Sequence, residues 1–149
     1  MKNFYQDLFR YNYQVNRQLA NRFKAYDYAL GKDIARLANH MLNAQQIWIA
    51  RIKGEETPCS PWEEFSLTSF EERNQELFDL SMEMLSVSEL EEWVDYRNFA
   101  GQVFRNKISD ILTHIVNHST YHRGQIALKM REQGLEPIMS DFIYYKRED

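Results

Sequence analysis

Apolar side chains recur every three or four positions along most of this chain, which is the period of a helix rather than of a strand. Phe4, Leu8, Tyr11, Val15, Leu19, Phe23 and Tyr26 form one stripe and predict a first helix from about residue 2 to 29. Gly31 ends that pattern and Asp33 opens a second helix, in which Ile34, Leu37, Met41, Ala44, Ile47, Trp48 and Ile52 mark the buried side as far as Lys53. Residues 54–66 hold two prolines, a glycine and acidic residues, and read as a loop crossing the end of a bundle. Thr68 and Glu71, spaced as a capping box, predict a third helix running through Phe70, Leu77, Phe78, Leu80, Met84 and Leu85. Trp93 to Arg97 reads as extended and Asn98 to Gly101 as a turn, the pattern of a short hairpin. Asn106 is placed to cap a fourth helix carrying Ile108, Ile111, Leu112, Ile115, Val116, Ile126 and Met130, with Gly134 in the left-handed position past its end. Ser140 to Tyr145 then supplies one or two helical turns packed back on the bundle. The predicted fold class is all-α: a four-helix bundle over residues 1–149 as a single domain, with long connections after helices two and three and a short C-terminal helical turn.

Composition narrows the possibilities. With 44% hydrophobic and 14% aromatic residues the chain can build a core, and 149 residues are enough to do so without disulfide staples. A formal charge of −4 gives no basic face for a phosphate backbone, which argues against a nucleic-acid binder. Cys59 is the only cysteine and no histidine adjoins it, so it reads as an ordinary loop thiol. The opening residues lack a signal peptide's apolar stretch and no run approaches a membrane span, which makes the cytoplasm the expected location and excludes a membrane partner.

The candidate chemistry lies in the histidines. Three of the four fall within nine residues, at positions 114, 118 and 122. Side chains at i and i+4 of a helix are offset by only about 40° and lie about 6 Å apart along the axis, so neighbours in this series can share one metal, whereas His114 and His122 are too distant to do so. Spacing leaves open whether the local pair is His114 and His118 or His118 and His122. His40, beside the apolar stripe of the second helix, points inward or at a cleft and is the candidate third ligand. A cluster that charges together at acid pH is a second reading. Haem is disfavoured because its axial ligands sit on opposite faces of a plane, and neither a Glu-x-x-His nor an HExxH pattern is present to mark a di-iron or protease site.

The block His114-Ile-Val-Asn-His118-Ser-Thr-Tyr-His122-Arg-Gly-Gln125, with Leu37 to Trp48 upstream and Ser140 to Tyr145 at the end, resembles the DinB/YfiT-like family of damage-inducible, metal-binding four-helix bundles, which is distinct from the polymerase of the same name. The resemblance implies neighbouring second and fourth helices, metal ligands at His40, His118 and His122, and homodimers. His114 then becomes a residue supporting the ligands or the helix packing. Tyr121 and Arg123, about 100° to either side of His122, would sit at the edge of the site or in an interface. Gln125 would hydrogen-bond within the bundle, and Gly124 would permit close helix approach. An open site of three imidazoles suits zinc or nickel foremost, with iron and copper also possible. Thiol-dependent relatives make activation of a low-molecular-weight thiol cosubstrate the leading expectation, ahead of a metal-dependent hydrolase or a non-catalytic metal-stabilised stress-response or binding protein. Aromatics beyond the needs of one core stripe, including Tyr5, Tyr13, Tyr28 and Phe78, point to a partner surface for the dimer.

Overall fold

The computed structural model describes residues 1–147 and is mostly helical with a small two-stranded sheet. Its elements are α1 (Lys2–Ala25), α2 (Lys32–Lys53), α3 (Phe70–Val87), β1 (Trp93–Arg97), β2 (Val103–Lys107), α4 (Ile108–Glu132) and the single turn α5 (Phe142–Tyr145). The hairpin is antiparallel, Trp93 opposite Lys107 and Arg97 opposite Val103, so the chain is not purely α. Tyr96 of β1 meets Trp48 of α2 edge-on at 4.9 Å, which seats the hairpin against α2.

Three element boundaries differ from the sequence expectation, each for a local reason. α1 stops at Ala25 because Asp27 and Tyr28 take positive φ (51° and 59°) and reverse the chain, with the Tyr28 N–H donating to Phe23 O at 2.7 Å. Tyr26 still packs against the core from this turn, so the apolar stripe reported burial correctly and helix length incorrectly. The Thr68 and Glu71 box does not form: the Thr68 hydroxyl pairs with Ser66 Oγ (2.8 Å) in a 3-10 turn at Leu67–Ser69, and α3 starts at Phe70. Asn106 lies in β2, where it accepts the Tyr96 hydroxyl, and does not cap α4. The N–H groups of Ile108 and Ser109 instead donate to Glu92 O and Leu90 O, both at 2.9 Å, and Asp110 accepts the Lys107 N–H. The expected ends of α2 and α4 are present: Gly54 and Gly134 take φ of 69° and 72°, the left-handed region that glycine enters without a Cβ penalty.

α2 packs against α4 and α3, and α1 against α3 and α4, around fully buried Phe9, Phe23, Ile34, Leu42, Phe70 and Leu112. A polar seam crosses this interior. Arg123 of α4 donates to Oδ1 of Asn12 (2.5 Å) and of Asn16 (3.0 Å) on α1, and the Asn16 amide donates to Asn74 of α3 (3.0 Å). The Asn12 amide reaches Gln45 of α2, whose own amide donates to Ser81 of α3 at 3.0 Å. α5 returns to α1, where the Tyr145 hydroxyl donates to Asp7 (3.0 Å) and Lys146 pairs with the same carboxylate (2.8 Å). Among the described residues, no helix is long and apolar enough to cross a membrane.

The aromatics expected at a partner surface are partly accounted for within the chain. Tyr5 is buried, its hydroxyl donating to Ser109 O, and Tyr13 stacks on Phe78 at 4.4 Å and hydrogen-bonds Gln75. Tyr28 remains exposed.

Candidate metal centre

Packing α2 on α4 sets His40 opposite His118 and His122, which stand one turn apart on the same side of α4. His118 Nε2 lies 3.1 Å from Nε2 of His40 and 3.1 Å from Nε2 of His122. One nitrogen from each ring falls within 4.8 Å of the other two, and no cysteine or carboxylate joins them among the described residues. His40 and His122 are buried and His118 is partly so.

The outer edges of the rings decide which atoms face inward. His40 Nδ1–H donates to Pro61 O at 2.8 Å, and His122 Nδ1–H donates to Gln125 Oε1 at 2.7 Å. With the proton held on Nδ1, each of these rings turns an Nε2 lone pair towards His118. His118 Nε2 has at most one proton to share between them. A divalent cation satisfies all three lone pairs together, and nitrogen atoms 3.1 Å apart suit a metal about 2.0–2.1 Å from each. The donor set therefore fits a metal. Burial holds the His118 imidazole down at about 3, reinforced by His122, His40 and His114, and burial also lowers His40 against the raising effect of its Pro61 bond. Both rings keep their lone pairs free at neutral pH.

The same arrangement is what the sequence resemblance implies, and the whole chain carries it: the model of the DinB family matches residues 1–149. The chain belongs to the DinB family. Protein DinB of Bacillus subtilis (strain 168) is 23% identical over 163 aligned positions, which cover 97% of this chain and 95% of that protein. The two chains are thus similar along nearly their full lengths.

Around the cluster, this DinB-family chain departs from the sequence reading at two positions. Arg123, expected at the edge of the site or in an interface, turns away from the histidines and is buried in the seam facing α1, because Asn12 and Asn16 offer its guanidinium two carbonyl acceptors. Gly124 faces open space: a methyl group on its Cα would meet nothing within 4 Å, so its small size permits no close helix approach. The other candidates lie near the cluster. His114 is outside it, edge-on to Trp48 (5.3 Å) and 5.4 Å from the His118 ring centre. Tyr121 is exposed with its ring edge-on to His122 at 5.1 Å, and Gln125 holds the His122 proton. Cys59 is buried, and that burial pushes its thiol up, in keeping with a structural role.

Sequence reasoning missed Pro61, Trp62 and Arg36. Trp62 lies flat on His40, ring centres 3.6 Å apart and planes 4° from parallel, and the Arg36 guanidinium sits 4.7 Å over the indole. Pro61 and Trp62 belong to a loop without periodicity, where no pattern could have flagged them. Arg36 precedes His40 by one helical turn on the same face, and that spacing was legible.

Proposed function

We propose that this DinB-family protein is a four-helix-bundle metalloprotein in which His40, His118 and His122 hold one divalent transition metal, zinc or nickel foremost, and that it is an enzyme activating a low-molecular-weight thiol in the manner of an S-transferase. The observation that carries this reading is the pair of locked tautomers: Pro61 O and Gln125 Oε1 commit two imidazoles to present lone pairs to the same point as the third. Three protein donors with no fourth from the described residues favour an open catalytic site over a closed structural one. When bound, the metal would supply Lewis acidity, lowering the proton affinity of a thiol so that sulfur is nucleophilic at neutral pH.

The chain's own residues supply the setting. Pro61 and Gln125 orient two ligand rings, and the Trp62 indole shields one face of His40 from water. Burial keeps the imidazoles of His40 and His118 neutral. Elemental analysis of protein purified without a histidine tag should find one transition metal per chain, lost in His118→Ala. Cobalt-substituted protein should then develop a sulfur-to-cobalt charge-transfer band with 2-mercaptoethanol. Metal content unaffected by His118→Ala would refute the site, and a cobalt protein silent to thiols would refute thiol activation in favour of water-based hydrolysis or a role without turnover.

A further inference from the structure

A divalent metal held by three neutral imidazoles would keep its double charge, since among the described residues no carboxylate enters the cluster. The Arg36 guanidinium, whose charge is felt at His40, adds to that field. Arg36 is exposed and, among the described residues, forms no ion pair and no hydrogen bond; its contact is the 4.7 Å approach to the Trp62 ring. Arg73, Arg105 and Arg22 spend their donors on protein groups, whereas Arg17 shares with Arg36 an aromatic contact but lies on Tyr13, away from the histidines; Arg36 is set apart by its place beside them. Stacking on an indole orders a guanidinium without neutralising it, which leaves a planar fork of donors available to a ligand. Because the same indole lies 3.6 Å from the His40 ring, two contacts in series link the guanidinium to the metal cluster.

We propose that Arg36, held on Trp62, is the anchor for a carboxylate on the molecule that binds at the His40–His118–His122 site, so that the ligand of this protein is a small carboxylate-bearing compound. The inference rests on the metal and thiol reading above and narrows it to a substrate class. The carboxylate pairs with the Arg36 fork while the other end of the molecule reaches the cluster. Arg36 is thereby a specificity determinant.

Cobalt-substituted protein titrated with 4-mercaptobutyrate and with 4-mercaptobutan-1-ol separates the two readings, because the probes share a thiol and a spacer and differ in charge at the far end. The charge-transfer band should report tighter binding of the acid by about three- to tenfold. That ratio should fall towards unity in Arg36→Gln, keep an intermediate value in Arg36→Lys, and shrink in high salt. Equal affinities in the unmodified protein, or a preference that survives Arg36→Gln, would overturn the anchor while leaving thiol activation standing. A band from neither thiol has a different signature and would sink both.

Discussion

At His40 and His122 the decisive bonds are made on the side of the ring that faces away from the cluster. Pro61 O and Gln125 Oε1 fix where each ring proton sits, and the inward nitrogens are donors of lone pairs as a result. His114 has no such place, since its ring lies tilted beside His118 without joining the convergent nitrogens. Zinc affinity measured by competition should accordingly fall more than about a hundredfold in His118→Ala and less than about tenfold in His114→Ala; equal losses would mean that the wrong pair was assigned. The metal-free protein should also be acid-sensitive in a defined window. His40 and His118 titrate below the ordinary histidine value of about 6.5, chiefly because burial disfavours the charged ring. Between about 6.5 and the His118 value of about 3, the unfolded chain takes up protons that the folded chain refuses, so stability falls as pH drops through that range and is flat above it for these groups. Thermal melts of the chelator-treated protein from neutral pH to about 5 should show the decline, with a shallower slope in His118→Gln.

Among the elements, the end of α2 offers the cleanest test of local chemistry. Gly54 stops the helix with φ of 69°, and a Cβ there would meet nothing within 4 Å. Gly54→Ala should therefore cost about 1 kcal/mol in denaturant unfolding from backbone conformation alone; an unchanged midpoint would show that the turn relaxes. The helices themselves were legible because the three-to-four period of their apolar residues reflects burial on one side. Their ends were less so. Tyr26 keeps the α1 period yet packs from a turn, and α4 is capped by carbonyls of Leu90 and Glu92, which are backbone atoms that no side-chain code announces. The site divides in the same way. The spacing of His118 and His122 and the inward placement of His40 could be read from the chain, whereas the parts contributed by the loop, Pro61 O and the Trp62 indole, depend on how 54–66 lies across α2. Arg123 was misplaced because its angular position beside His122 fits the site's edge and the interior equally, and only the asparagines of α1 decide between them.

Across the whole molecule, the seam and the outer surface make separate demands. Arg123→Met leaves the Asn12 and Asn16 oxygens without their donor in an interior where water does not replace it, and should cost about 2–4 kcal/mol of unfolding free energy; a loss below about 0.5 kcal/mol would show that the seam contributes no stability. Outside, Phe4 of α1 and Ile143 of α5 stay exposed, and α5 is clasped to α1 through Asp7. We expect a second copy to cover such surface in a homodimer, and light scattering should give about twice the 17.9 kDa chain mass; a single-chain mass that persists as micromolar concentration rises would exclude it. The seam has one more effect, on the search among alternative packings during folding. Sliding α4 by one turn in one direction would keep many apolar contacts and would bring His114 and His118, about 5.4 Å along the axis, to the places of His118 and His122, so the histidine series alone does not fix the register; the same slide would carry Arg123 away from Asn12 and Asn16. Arg123 thus acts as an alignment key: the register that gives its guanidinium the Asn12 and Asn16 oxygens is also the register in which His118 and His122 face His40.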